Sequence, residues 1–191
     1  MVNYYSWNGS DELLFSIVFI LICLQRLGEL MVARSNERYQ KTQGAIEAGQ
    51  GHYPLMVIMH TLFLCSLLFE YLWLKPTLSP LWPYLLIAFI TLQFARVWAI
   101  QSLGRFWNTK IIILPGAKLV KQGPYKWMPH PNYAIVALEI AIIPLIFQAY
   151  FTAIIFTLLN YGMMLIRIPI EEEALSQYSN HTSNKPDKIS N

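Results

Sequence analysis

Charge is scarce in this chain: Asp, Glu, Lys and Arg make up 13% of its 191 residues, about half the share of an ordinary soluble domain. A surface facing water on all sides cannot be built from so few, so a conventional soluble globule is excluded. Cysteine is nearly absent. Cys23 and Cys65 both lie in apolar stretches and read as small packing residues, so neither a disulfide framework nor a cysteine metal site is expected. No metal is expected at histidine either, because His60 has no second His, Cys or carboxylate at ligand spacing and reads as a hydrogen-bonded packing residue. Internal repeats are lacking, and with them the sequence sign of a repeat-built transporter.

What is present is apolar: 55% of the chain is hydrophobic and the mean hydropathy is positive. A bilayer-spanning helix needs about 20 such residues, and the runs fall at about 13–33, 53–74, 82–103, 132–147 and 151–168. Asp11 and Glu12 precede the first run where a signal peptide would be basic, and no small-residue cleavage motif follows it, so it reads as a span. The expected fold is an all-α integral membrane protein with about five transmembrane helices. The last two form a C-terminal hairpin, tightly joined at 148–150, with Pro144 kinking its first arm. Residues 1–176 then form one membrane domain with a polar loop at 104–131, and residues 177–191 a disordered polar tail.

Positive residues fix the expected orientation. Arg34, Arg38 and Lys41, then Arg105, Lys110, Lys118, Lys121 and Lys126, fall in alternate loops, while the other side has only Lys75. The basic side is therefore expected to be cytoplasmic, with an outside N-terminus and a cytoplasmic C-terminus. The topology rule already accounts for these basic residues, so nucleic-acid binding is not expected. Within the runs, Arg26, Glu29, Glu70, Arg96 and Glu139 need partners or a water-lined site. Interhelical ion pairs are the commoner outcome, and a polar transport path is the alternative.

The densest polar cluster is the loop feeding the last hairpin, G-P-Y at 123–125 and H-P-N-Y at 130–133, together with R-I-P-I-E-E-E-A-L at 167–175 after it. A short turn forces the two helices antiparallel, so these segments must meet at the membrane surface. A histidine, two tyrosines, an arginine and three carboxylates are thus expected to converge where a charged, water-soluble cofactor would meet a lipid-embedded substrate. S-adenosylmethionine fits that set. Carboxylates suit its ammonium and ribose hydroxyls, aromatic faces its sulfonium and adenine, and a histidine its carboxylate. Arg167 can orient an anionic acceptor oxygen bidentately.

At these residues the chain resembles the isoprenylcysteine carboxyl methyltransferase family, in its bacterial branch. R-L-G-E-L at 26–30, G-H-Y-P at 51–54 and L-G-R-F-W-N-T at 103–109 extend the likeness over most of the chain. The resemblance implies S-adenosylmethionine as cofactor without a Rossmann domain, and a lipophilic small-molecule or prenyl-type acceptor entering from the membrane lipid between helices. It implies cofactor contacts at Tyr125, His130, Pro131, Asn132, Tyr133 and Glu171, backbone contacts at Leu119 and Val120, and an acceptor-side arginine at Arg167. Arg167 and Glu171 are then the catalytic candidates, at the cytoplasmic face of a bacterial cell membrane. One position departs: Pro129 stands where the family usually has Arg. The acceptor group is a carboxylate or a hydroxyl, such as that of an alkylpyrone. A nicotinamide-dependent membrane reductase and a non-catalytic scaffold are the other readings.

Overall fold

The computed structural model describes residues 9–180, with side chains through Tyr178. Five helices carry the chain: α1 (Gly9–Thr42), α2 (Tyr53–Leu74), α3 (Trp82–Leu103), α4 (Pro131–Ile146) and α5 (Tyr150–Asn180). The α2, α3 and α4 helices have proline in the first turn, where a missing N–H costs nothing. Four of the five, α1, α2, α3 and α5, are long and apolar enough to cross a membrane. The α4 helix, 16 residues and about 24 Å long, falls short of a ~30 Å hydrocarbon core. It is also the most enclosed, with Ile135, Glu139, Ile140 and Ile143 all buried. Around the bundle, large apolar side chains such as Leu13, Leu24, Leu62, Phe94 and Leu158 are exposed, an arrangement suited to lipid and not to water.

The chain turns between α4 and α5 in three residues. Pro144 cannot continue the hydrogen-bond ladder, its carbonyl instead accepts from Phe147 and Ala149, and Gln148 takes a positive φ of 51°. The Gln148 amide then ties the hairpin to the α2–α3 connection through the Thr77 and Leu78 carbonyls, at 2.9 and 3.2 Å. Antiparallel α2 and α5 pack through Phe63 against Phe156 and through a 2.8 Å Ser66–Thr152 hydrogen bond.

The charges expected to need partners all find them. Glu70 of α2 receives the first N–H groups of α5, from Phe151 at 3.0 Å and Thr152 at 2.7 Å, and also the Thr152 hydroxyl. An anion at a helix N-terminus satisfies donors that have no partner within the helix. Glu70→Ala is therefore expected to lower stability by about 1–3 kcal/mol, the cost of leaving buried donors unmade, read as an earlier thermal transition in detergent. A variant as stable as the parent would show that water replaces the carboxylate. The other four charges form one closed cluster: Arg26 and Arg96 each bond both Glu29 and Glu139. Two cations meet two anions, and Gln25 and Gln93 supply further donors.

The α1 and α5 helices continue well beyond their apolar runs, and this builds a structure outside the helical bundle. Two three-residue strands, β1 (Ile46–Ala48) and β2 (Ile111–Ile113), pair antiparallel with Ile46 opposite Ile113. Ile111 and Ile113 pack on Ile170, Ala174 and Leu175 of α5. That contact explains why α5 passes through Pro169 and does not stop near residue 168. The polar tail expected from residue 177 is helical through 180; its remainder lies outside the described residues.

Candidate active site

The end of α1 fixes the loop that roofs the site. Asn36 donates to the carbonyls of Trp107 (2.8 Å) and Gly104 (3.1 Å), and Gln40 to that of Arg105 (2.7 Å). Lys110 bridges Glu37 at 2.9 Å and Glu47 at 3.2 Å. Hydrogen bonding to those carboxylates, Glu37 first, raises its pKa above the usual lysine value. Farther along, Gly123 has φ 54° and lies against Trp98 and Ser102 of α3, where a Cβ would collide with the Ser102 side chain. This close approach sets the helical turn that carries Tyr125.

Beneath this roof is a cavity of about 580 Å³, within the usual range for small-molecule sites. At its basic end the antiparallel hairpin brings His130, Asn132 and Tyr133, at the start of α4, against Arg167 and Glu171 on α5. The Tyr133 hydroxyl donates to Glu171 Oε2 at 2.7 Å and accepts from Arg167 Nε at 3.3 Å. One phenol thus couples the carboxylate to the guanidinium. His130 Nε2 lies 3.1 Å from Glu172, and its Nδ1 lies 4.0 Å from Glu171. Tyr125 lines the same end. Burial, reinforced by the Glu171 charge, pushes its phenol pKa up, so the hydroxyl remains a donor.

Two groups here have bonding capacity unmatched by ordinary partners. Asn132 Oδ1 is buried with no hydrogen-bond partner among the described residues, the mark of an acceptor that awaits a donor. Arg167 is 5% exposed, yet its bonds go to the Tyr133 hydroxyl, the Met56 thioether and, at 2.9 Å, the Thr109 carbonyl. None of these carries charge. A buried cation bonded, among the described residues, only to neutral groups is a natural seat for an anionic oxygen.

Tyr125, His130, Asn132, Tyr133, Arg167 and Glu171 therefore face one cavity. Leu119 and Val120 are not among its lining residues, and Leu119 is exposed. Pro131 is buried in the first turn of α4, where it directs the helix without lining the cavity. Of the three consecutive carboxylates only Glu171 lines it; Glu172 reaches His130, and Glu173 is exposed and bonded to Gln177. The expected convergence of all three fails because consecutive helical residues are about 100° apart. The structure adds residues that motif spacing did not single out for the site: the Thr109 carbonyl, Met56 and His60 on α2, and Asn160 on α5. Toward the bundle centre the lining reaches Leu27, Val57 and Leu64 and, beside them, Arg26, Glu29 and Arg96 of the ion cluster.

Comparison with known proteins finds a family match over the same part of the chain. The model of the isoprenylcysteine carboxyl methyltransferase (ICMT) family matches residues 85–177, which cover most of α3, the loop to α4, α4 itself and the site-bearing part of α5. The uncharacterized protein YpbQ of Bacillus subtilis is 46% identical over 166 residues, 87% of this chain and 99% of that protein. An uncharacterized protein of Haemophilus influenzae is 28% identical over 169 residues, 86% and 96% of the respective chains. No solved structure matches. With the family match covering Tyr125, His130, Tyr133, Arg167 and Glu171 together, the chain belongs to the isoprenylcysteine carboxyl methyltransferase family, and this membership supports a methyltransferase housed in a membrane.

Proposed function

We propose that this chain is an S-adenosylmethionine-dependent methyltransferase acting on a carboxylate or hydroxyl of a lipophilic acceptor at the cytoplasmic membrane face. The observation that carries the reading is one cavity with two chemically distinct ends. One end presents Glu171, Tyr133, Asn132 and His130, and the other sets aliphatic side chains such as Leu27, Val57 and Leu64 beside the mutually paired Arg26, Glu29 and Arg96. The cytoplasmic assignment rests on the basic residues gathered at the polar end.

The residues fit the cofactor. Asn132 Oδ1, buried and unpartnered, suits a ribose hydroxyl or an ammonium, and Glu171 the same class of donor. His130 suits the amino-acid carboxylate, and the faces of Tyr125 and Tyr133 suit a sulfonium or adenine. When bound, S-adenosylmethionine supplies an electrophilic methyl carbon whose bond pair returns to sulfur as the acceptor oxygen takes the methyl. The chain's own task is to hold both partners in line and keep water out. Arg167 anchors the acceptor oxygen, and Tyr133 links that anchor to the cofactor end. Leu27 and Val57 line the cavity yet are also exposed on the outer face of the bundle. An opening between α1 and α2 would therefore admit an acceptor tail from the bilayer.

Calorimetric titration of the detergent-purified protein tests the reading. Saturable S-adenosylmethionine binding is expected in the parent chain, with at least about tenfold weaker binding in Glu171→Ala and His130→Ala, as each removes a charged or charge-assisted contact. A folded parent that binds no S-adenosylmethionine sinks the proposal. Saturation by a nicotinamide cofactor in a parallel titration would replace it with a reductase.

A further inference from the structure

His60 lines the cavity from α2, and only one of its ring nitrogens is used by the protein. Its Nδ1 lies 2.8 Å from the Met56 carbonyl, one turn earlier. A carbonyl only accepts, so Nδ1 carries the proton and the neutral ring keeps its lone pair on Nε2. No hydrogen bond reaches that nitrogen among the described residues. Met56 also locates the ring relative to the acceptor anchor, because the Arg167 guanidinium bonds the Met56 thioether. The two α2 positions are four residues apart, roughly 6 Å along the axis. Side chains on a helix lean toward its N-terminus, here toward Arg167. An oxygen held by Arg167 on the side facing α2 would therefore have a basic nitrogen within reach.

Resting on the methyltransferase reading, we propose that His60 is the proton acceptor for methylation of a hydroxyl, so that the acceptors are weakly acidic phenols or enols on lipophilic tails. The O–H bond breaks and the proton becomes the Nε2–H of an imidazolium. The electron pair stays on oxygen and forms the new bond to the methyl carbon, and the proton passes to water when the product leaves. A carboxylate acceptor, already ionised at neutral pH, would give His60 no such task.

The charged groups around the ring permit this transfer. His60 faces both the main cavity and a small chamber of about 30 Å³ that also touches Arg26 and Glu139, with room for about one water. The charges facing these two spaces are Arg26 and Glu29 from α1, Arg96 from α3, Lys110 from the roof, Glu139 from α4, and Arg167 and Glu171 from α5. Arg26, Glu29, Arg96 and Glu139 neutralise one another in their closed cluster. Lys110 is paired with Glu37 and Glu47, whereas Arg167 meets Glu171 only through the Tyr133 hydroxyl, so a bound oxyanion would balance it directly.

A nitrophenol carrying a dodecyl chain reports its own protonation by colour, since the phenolate absorbs visible light and the phenol does not. It is titrated into the detergent-purified full chain without methyl donor, at a pH just below the probe's own ionisation in that detergent. Saturable binding with a phenolate band is expected for the parent. His60→Gln and His60→Ala are expected to bind the probe as phenol while retaining S-adenosylmethionine affinity, which serves as the folding control. In turnover, kcat/KM for an unactivated dodecylphenol should fall by about 10²- to 10⁴-fold in His60→Gln, the usual contribution of a general base. The residual rate should climb with pH toward the phenol's own ionisation. The inference is overturned if the parent does not bind the probe or binds it as phenol, if the phenolate band is equal in the variants, or if the parent methylates only carboxylic acids. A parent that ionises the probe but binds no S-adenosylmethionine would overturn the methyltransferase reading while leaving the proton-accepting site standing.

Discussion

Arg167→Met is expected to lower kcat/KM for methyl transfer by about 10²- to 10³-fold, the scale of losing one preorganised donor at a developing or resident oxyanion. S-adenosylmethionine affinity should change less than about tenfold, because the Tyr133–Glu171 bond at the cofactor end survives the change. Methionine fills much of the same apolar volume, so the defect reads charge and hydrogen bonding more than packing. Arg167→Lys sharpens the test. It keeps the cation but loses the planar fork that reaches Tyr133 and the Thr109 carbonyl together, and should recover only part of the rate. Steady-state kinetics alongside calorimetry separates the outcomes. If cofactor affinity and turnover fall together in both variants, Arg167 is a brace between α5 and the roof, and the acceptor anchor must be sought elsewhere.

The meeting of Arg167 and Glu171 with Tyr133 was legible in the sequence because R-I-P-x-E-E follows a hairpin whose turn is too short to permit any other geometry. Helix positions were legible for a similar reason: long apolar runs punctuated by proline at 54, 83 and 131 leave little choice. What escaped depends on contacts distant in sequence. Ile46–Ala48 and Ile111–Ile113 are each too short to announce a strand, and they exist as a ribbon only because the extended ends of α1 and α5 supply a surface for them. The same extension past Pro169 fixes the helical phase that sends Glu171 to the cavity and Glu173 to the surface. His60 looks locally like any intrahelical histidine bonded one turn back. Its importance comes from Met56 facing Arg167 across two helices, which no spacing within α2 can reveal.

Glu139→Ala is expected to destabilise the protein by about 3–5 kcal/mol, the cost of stranding buried charge. Glu139 is fully buried and accepts from Arg26, Arg96 and Gln93, so its loss leaves two guanidinium groups with one carboxylate between them. Thermal unfolding in detergent reads the effect. The closed cluster also predicts how to reverse it. Adding Arg96→Met to a Glu139→Leu exchange removes one charge of each sign and leaves Arg26 and Glu29 as a balanced pair 2.8 Å apart. Replacing well-enclosed ions by apolar groups of similar size is often neutral or stabilising, so the double variant should regain most of the stability. If it is as unstable as the two single losses summed, the ion network holds α1, α3 and α4 together in its own right. If it recovers, apolar packing can hold those helices, and what the charges add is a polar wall beside His60 that the double variant would weaken without unfolding the protein.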